Sequence, residues 1–338
     1  MQASKWLYAG FGLVLSFSFS GLLFSAEDPW TVISYPARPP KLPLWLAHEE
    51  KLFEKHGLNV IIQELATSEE LVAAVRDGRG NIYAGTAPHI ISGIGDGADV
   101  VFFANTGHSV LKLLSRPAIT RPEELKGKRV GTGEKNSSQD RITRQTLKIL
   151  GLDPDRDVIL VPFGSRSIQR LNALLAGEID ATTSNEDNIH ELEKRGDMSK
   201  VRVLADNESL KLFIGGGVDF AVSRPLLVKE RGKVKAFIKA LSEATALARR
   251  DRARADRIYT RYQDVRDAGR LEFMYRTYVL KAIPQRPFPR PEAIVLGLEE
   301  FGNKPGLKGK KKEDLIDFSL VKELEKERWF ETLTRANP

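Results

Sequence analysis

The chain has 338 residues, 41% hydrophobic and 29% charged, which is enough to bury the cores of one or two domains. Its net charge of +7 is spread along the sequence, so the charge does not indicate nucleic-acid binding. The chain contains no cysteine, which excludes disulfides, thiolate nucleophiles and cysteine metal ligands.

The first 26 residues have the pattern of a secretory signal peptide. Lys5 is followed by apolar or small residues from Trp6 to Phe24, and acidic residues begin after Ala26. An uncleaved membrane anchor is the alternative, because the run is long enough to span a bilayer and Phe24 stands where cleavage favours a small residue. In both cases we expect the body of the protein in the periplasm.

The first part of the body alternates strands and helices. Strands are predicted at residues 30–35, 58–65, 81–84 and 99–104. Helices are predicted at residues 42–56, at residues 68–75 with Ser68 as the N-cap, and after a turn at Pro88. This order is typical of a mostly parallel sheet.

The second part repeats the alternation and the third part is helical. Strands are predicted at residues 109–115, 129–131, 158–162, 179–183 and, interrupted by three glycines, 212–222. The prolines between residues 283 and 291 prevent a helix there. Helices are predicted at residues 225–250, 253–262, 269–281, 291–301 and 312–326.

Several turns between a strand and the following helix consist of small residues. In a parallel α/β sheet these turns lie at the carboxyl ends of the strands and line the ligand crevice. None of them contains a nucleophile next to a base. The sequence therefore favours binding over catalysis.

Several strings, in this order, resemble one protein family. They are LAHEEKLFEKHGLNVIIQEL, IYAGTAPHIISGIGDGADVVFFA, LKGKRVGTG, LKILGLDPDRDVILVPFGS and RLNALLAGEIDATTSNED. Over about residues 30–250 the chain resembles type II periplasmic solute-binding proteins of ABC importers, in the nitrate, sulfonate, taurine and pyrimidine-precursor (NMT1/THI5-like) group. One departure is Asn81, where many relatives carry an acidic residue, and it leaves the ligand class open.

The resemblance implies an α/β fold of two lobes, each a mostly parallel sheet flanked by helices, with a helical C-terminal tail. Residues 30–115 and 216–338 would form the first lobe and residues 116–212 the second, after a signal peptide at 1–26. Two crossings near residues 113–118 and 212–217 would join them, with the ligand held between.

Candidate ligand contacts follow from the small-residue turns. A helix of the second lobe begins at about residues 135–140, and its first backbone N–H groups and serine hydroxyls could bind an oxyanion. Ser137 with Asp140 also resembles a capping box, which is the alternative explanation. Asp140 would repel a bare anion, which favours a zwitterion or a neutral ring with one acidic group. The candidates in this second-lobe group are Asn136, Ser137, Ser138, Ser184 and Asn185.

The first lobe supplies the remaining candidates. Small residues in its turns allow close backbone approach to a ligand, although turn geometry alone also explains them. An aromatic ring after the first strand either stacks on the ligand or covers the core, and the glycines near residue 215 suit a hinge, ligand approach or a bulge. These candidates are Tyr35, Pro36, Gly85, Thr86, Ala87, Gly215 and Gly216.

No cofactor or metal is expected, because the histidines show no metal-binding spacing. We expect a monomer that is not an enzyme, binds no nucleic acid, and delivers a small polar molecule, such as a sulfonate, carboxylate or pyrimidine, to an ABC permease in the membrane. One alternative is a sensory module for a membrane receptor. Another is an enzyme like the pyrimidine-precursor synthase of the same group, which the absence of cysteine and the export signal disfavour.

Overall fold

The computed structural model describes residues 28–335, apart from residues 36, 136, 164–166 and 211–216. In chain order the strands are β1 (Trp30–Ser34), β2 (Val60–Glu64), β3 (Ile82–Gly85), β4 (Val100–Asn105), β5 (Leu111–Ser115), β6 (Arg129–Thr132), β7 (Ile159–Pro162), β8 (Ala181–Asn185), β9 (Arg202–Asp206) and β10 (Asp219–Ser223).

The helices pack around these strands and dominate the chain after β10. In chain order they are α1 (Leu42–Glu49), α2 (Leu52–Lys55), α3 (Ser68–Arg76), α4 (Ala87–Gly95), α5 (Ser138–Ile149), α6 (Ser167–Ala176), α7 (Glu186–Arg195), α8 (Asn207–Leu210), α9 (Arg224–Lys229), α10 (Arg231–Arg250), α11 (Arg252–Gln263), α12 (Ala268–Met274), α13 (Pro291–Phe301), α14 (Ser319–Lys326) and α15 (Trp329–Arg335). A π-helix continues α12 over Tyr275–Ala282, and short 3-10 helices occupy Pro39–Lys41, Pro122–Leu125, Met198–Lys200, Pro305–Leu307 and Lys312–Leu315.

The first five-stranded sheet has the order β2-β1-β3-β10-β4. Strand β1 pairs in parallel with β2 and β3, while β10 inserts antiparallel between β3 and β4. The β-α-β-α-β-α-β order predicted for this region is confirmed. The inserted strand comes after every strand of the second sheet along the chain, so the first sheet is completed only once the chain has passed through the second.

The second five-stranded sheet has the order β7-β6-β8-β5-β9. Strand β6 is parallel to β7 and β8, and β5 is antiparallel to β8 and β9. The sequence interpretation assigned residues up to 115 to the first lobe, whereas β5 pairs within this second sheet. The chain therefore changes sheet at residues 106–110, before the predicted crossing, and is back in the first sheet at β10.

Side chains alternate between the two faces of the strands in the first sheet. Val32, Val101 and Phe220 pack into one cluster with α1 and α10. Their neighbours Ile33 and Phe102 pack into another cluster with α3, α4 and α13. Because both faces are covered by helices, the central strands are apolar runs without polar alternation.

The larger of these clusters continues into the second sheet. It contains Leu171 and Leu174 of α6 and Leu192 of α7, together with Phe273 of α12. A separate cluster on the other face of the second sheet includes Leu147 of α5 and Leu113 of β5. The second lobe thus rests against the C-terminal helices through α6 and α7.

Several predicted boundaries are corrected by the structure. The helix predicted over residues 42–56 is interrupted at Lys51, whose φ of 53° lies in the left-handed region. The N-cap of α3 is Thr67, not Ser68, and its hydroxyl accepts from the Glu70 backbone N–H in a capping box. The helix predicted over residues 225–250 divides into α9 and α10, and α7 and β9 were not predicted.

Lys41 is a fully buried ammonium in the first lobe. Its Nζ lies 2.8 Å from the Glu64 carboxylate and 5.5 Å from the Trp45 ring centroid. Trp45 Nε1 donates to the same carboxylate at 3.0 Å. Burial lowers the pKa of Lys41 in spite of this partner, so Glu64 offsets only part of the desolvation of the charge.

Replacement of Glu64 by glutamine tests this buried pair. We expect Glu64→Gln to lower the free energy of unfolding by about 1–2 kcal/mol, because the ammonium stays buried without a counter-ion. The loss is not larger, because the Glu64 carboxylate is half-exposed and solvent already screens the pair. Glu54→Gln, on the exposed face of α2, is the control and should change stability by less than about 0.5 kcal/mol. Equal denaturant midpoints for the two variants would contradict the role of Glu64.

Candidate ligand-binding cleft

A cleft of about 940 Å³ lies between the two sheets and receives residues from both lobes. This volume is in the range of small-molecule sites. From the first lobe it is lined by Arg38, Ser68, Glu69, Val72, Ala73, Arg76, Thr86, Ala87, Pro88, His89, Ser92, Gly217, Asp219, Arg290, Ala293, Leu296, Glu299, Glu300 and Phe301, and from the second lobe and the first crossing by Ser109, Val110, Leu111, Gln139, Arg141, Ile142, Gln145, Asn185, Glu186 and Asp187.

The start of α4 faces the cleft, but its first amide is already occupied by the protein. The backbone N–H of Ala87 donates to Asp219 Oδ2 at 3.1 Å. Asp219 is buried at the beginning of β10, and burial raises its pKa. A carboxylate at this helix start takes the place that a ligand anion would occupy.

Asn105, at the end of β4, joins the two connections between the sheets. Its carboxamide Nδ2 donates to Val218 O at 3.0 Å and to Asp219 Oδ1 at 2.8 Å. Its Oδ1 accepts from the Gly107 N–H at 2.8 Å. Backbone bonds between Thr106, Gly107 and Val218 complete the junction. The floor of the cleft is therefore a buried polar network.

Arg290 packs against both connections. Its Nη2 is 3.9 Å from Asp219 Oδ1, and burial lowers its pKa while Asp219 raises it. A Cβ on Gly217 would clash with this guanidinium, and one on Gly107, at φ 127°, would lie 2.7 Å from Ala282 O. Glycine is required at Gly107, where backbone fills the space and φ is positive, whereas a side chain at Gly217 would displace the Arg290 guanidinium.

Two histidines lie in this region, and one of them, His89, lines the cleft. His108, whose Nδ1 lies 3.0 Å from Ser109 O, has its pKa lowered to about 4, mainly by burial. His89 lines the cleft, and its Nδ1 is 2.9 Å from the Thr86 hydroxyl. Burial also lowers the pKa of His89, so both imidazoles favour the neutral form near neutral pH.

In the second lobe the start of α5 is capped by its own side chains. The Ser137 hydroxyl accepts from the Asp140 N–H at 3.1 Å, which confirms the N-cap part of the predicted capping box. Asp140 is buried and accepts from Thr132 Oγ1 and Arg144 Nε. Gln139, one residue before it, lines the cleft and donates to Thr183 Oγ1 at 2.7 Å.

The start of α7 brings a second buried carboxylate to the cleft. Asn185 caps this helix by accepting from the Asn188 N–H at 3.2 Å. Glu186 follows it with 9% of its surface exposed, and burial raises its pKa. The Tyr278 hydroxyl of the π-helix lies beside this carboxylate, and burial followed by this interaction raises the pKa of Tyr278.

Ion pairs connect the lobes on both sides of the cleft. At the mouth, Arg141 of α5 lies 3.4 Å from Glu300 of α13. On the other side, Arg270 of α12 pairs with Asp187 of α7. One turn further along α7, His190 packs on Phe273 with ring centroids 4.9 Å apart. At the mouth the two lobes are thus connected by an exposed ion pair. At α7 and α12 they are connected by an ion pair and also by an apolar contact.

The structure brings only some of the predicted contacts to the cleft. Thr86, Ala87 and Asn185 line it. Tyr35 and Gly85 lie next to this group without lining it, Ser137 is used as a cap, and Ser138 begins α5. Ser184 is buried in β8 with its hydroxyl away from any hydrogen-bond partner. Pro36, Asn136, Gly215 and Gly216 lie outside the described residues, as does the predicted signal peptide.

Two sequence interpretations of this region need correction. The strand predicted at residues 179–183 corresponds to β8, which continues through Ser184 and Asn185, and β9 follows it in the second lobe. The proline-rich segment was interpreted only as a helix breaker, yet it supplies Arg290. Sequence reasoning also missed Asp219 and Glu186, because an isolated acid beside glycines or asparagines carries no spacing signal.

Within the described residues, no group of three or more His, Asp or Glu side chains is arranged to hold a metal ion. None of the helices in this part of the chain is both long and apolar enough to cross a membrane.

A family model described as NMT1/THI5 like matches residues 39–255, more than half of the chain. The chain belongs to the NMT1/THI5-like family. This confirms the predicted family group. Comparison with curated protein sequences gives no match.

Solved structures show the same fold at low sequence identity. The periplasmic aliphatic sulphonate binding protein SsuA from Escherichia coli is 18% identical, with a TM-score of 0.60 and coverage of 83% of this chain and 91% of that one. SsuA from Xanthomonas axonopodis pv. citri, bound to MOPS, is 19% identical, with a TM-score of 0.54 and coverage of 87% and 100%. The predicted periplasmic-binding-protein fold is confirmed.

An enzyme shares this fold as well. The desulfurization enzyme DSZB is 16% identical, with a TM-score of 0.56 and coverage of 88% of this chain and 99% of that one. The fold of this family member therefore does not by itself decide between binding and catalysis.

Substitution of Asn105 tests the junction of the two connections. We expect Asn105→Ala to lower the free energy of unfolding by about 2–4 kcal/mol, because Gly107 N–H, Val218 O and Asp219 Oδ1 lose a buried partner. The exposed Asn303→Ala is the matched control and should be nearly neutral. Chemical denaturation of both variants measures the difference, and a loss as small as that of the control would refute the assignment.

Proposed function

We propose that this protein is an extracytoplasmic solute-binding protein that delivers a small polar molecule to an ABC importer. The observation that carries the proposal is the cleft of about 940 Å³. It lies between two sheets joined by two paired connections, so one ligand is contacted by both lobes. A ligand held this way links binding to the relative position of the lobes.

Membership of the NMT1/THI5-like family supports this function, as does the fold shared with periplasmic SsuA proteins. The apolar N-terminal segment supports export to the periplasm. The permease is the expected partner, because a solute bound outside the cytoplasm needs a membrane route to enter the cell. A sensory role would use the same cleft with a membrane receptor as partner.

The fold shared with DSZB raises catalysis as the alternative. The cleft holds one hydroxyl next to an imidazole, Thr86 with His89. A working nucleophile–base pair needs a third group that orients the base. Among the described residues, no carboxylate is hydrogen-bonded to the His89 ring, and the chain has no cysteine. These observations favour binding without covalent chemistry.

A thermal-shift screen of small polar compounds tests the function. A ligand that binds only the folded protein at a hundred times its Kd adds about 2.7 kcal/mol of stability, so a clear rise in Tm is expected. Ala73→Trp, on the cleft face of α3, should abolish the rise, whereas Ala253→Trp on an exposed face of α11 should not. A screen without any hit, or a hit that Ala73→Trp leaves unchanged, would refute a binding role for this cleft.

The ion pair at the mouth predicts an effect on lobe position. Because Arg141 and Glu300 attract across the cleft, Glu300→Lys should favour an open arrangement and increase the radius of gyration in small-angle scattering. The exchange Arg141→Glu with Glu300→Lys should restore it. The free-energy change is small, about 0.5–1 kcal/mol, since the pair is exposed. An identical scattering curve for the single and the exchanged variant would show that this pair does not bias the lobes.

A further inference from the structure

The charges around the cleft do not suit a simple anion. Six carboxylates line it against four guanidinium groups. Several of these groups already pair within the protein: Asp187 with Arg270, Glu300 with Arg141, and Asp219 with Arg290. The amide at the start of α4 is taken by Asp219 as well. A ligand that enters as a bare anion therefore meets resident carboxylates where helix starts would otherwise attract it.

Glu186 differs from the other carboxylates. It is nine-tenths buried and lines the cleft, yet among the described residues its only polar neighbours besides charged groups are its own backbone N–H and the Tyr278 hydroxyl, and no cation pairs with it. The charged groups that face it are Arg38, which lies beyond ion-pair distance, and its neighbour Asp187. A buried carboxylate without a counter-ion is costly to keep, and such groups are characteristic of ligand sites.

We propose that the ligand of this cleft carries a protonated nitrogen with N–H donors, and that Glu186 is the group that binds it. This inference rests on the proposed solute-binding function and gives its ligand class. The protonated nitrogen supplies the positive charge that no protein side chain provides to Glu186. The hydrogen bond from this nitrogen to the Glu186 carboxylate is charge-assisted. Arg38, exposed at the same end of the cleft, is then available to meet an acid group if the ligand is a zwitterion.

Removal of the Glu186 charge gives a test that needs no known ligand. Glu186→Gln keeps the shape and removes the buried charge, so it should raise the Tm of the ligand-free protein by roughly 2–4 °C. Glu193→Gln, on the same helix and paired with the exposed Arg276, is the matched control and should not raise it. A lower Tm for Glu186→Gln would mean that the carboxylate has a structural partner, and would overturn the proposal.

Matched compounds test the ligand class directly. Thermal shifts are compared for 2-aminoethanesulfonate and ethanesulfonate, for 4-aminobutanoate and butanoate, and for benzylamine and benzyl alcohol. In at least one pair the amine should shift the wild-type protein more than its nitrogen-free partner. Glu186→Gln should weaken binding of that amine by about tenfold or more, while Glu193→Gln should not.

The outcomes separate this inference from the function on which it rests. Equal or larger shifts for the nitrogen-free members would overturn the ligand class and leave a solute-binding role intact. Amine binding that Glu186→Gln leaves unchanged would overturn the role of Glu186. The absence of a shift for every one of these compounds and for the wider screen would overturn both proposals.

Discussion

The carboxamide of Asn105 is the interaction on which the two-lobed arrangement depends. It accepts from the first connection at Gly107 and donates to the second at Val218 and Asp219. Each connection leads into an antiparallel strand that completes a sheet containing parallel strands. A carboxamide has both a hydrogen-bond donor and an acceptor. The single side chain of Asn105 can therefore bond to polar groups of both connections. The position of the cleft, the burial of Asp219 and the packing of Arg290 all follow from this junction.

The same junction determines the electrostatics of the cleft. Asp219, fixed by Asn105, fills the start of α4, and Asp140 and Glu186 stand at the starts of α5 and α7. A helix start attracts negative charge, and here the protein supplies that charge itself. Asp140 is bonded to Thr132 and Arg144 and does not line the cleft, whereas Asp219 and Glu186 do line it. A fold can thus be kept while the polarity of its site is set by a few acidic residues.

The sequence predicts the architecture well because strand runs and small-residue turns are local signals. The alternation of β1, the apolar run of β4 and the Pro291 start of α13 are local signals that the sequence shows without tertiary information. The sheet that holds β5 was not predictable locally, since an antiparallel strand between parallel ones is chosen by long-range pairing. Lys51 could not be recognised as a helix break, because lysine is a good helix former and the residue type gives no sign of its left-handed φ. Glu186 and Arg290 were missed because burial, not residue type, makes them unusual.

The contacts between the lobes differ enough in strength to predict how the cleft opens. The Arg141–Glu300 pair at the mouth is exposed, and such pairs contribute at most about 1 kcal/mol. On the other side, α6 and α7 share an apolar cluster with the C-terminal helices, and buried apolar side chains contribute roughly 1.5–3 kcal/mol each. Separation at the mouth would therefore cost far less than separation at α7, and we expect α7 to be the pivot of an opening movement. Glu186 is the first residue of that helix, so a ligand held there as we propose would stay close to the pivot, and its contacts with α13 would decide whether the mouth closes.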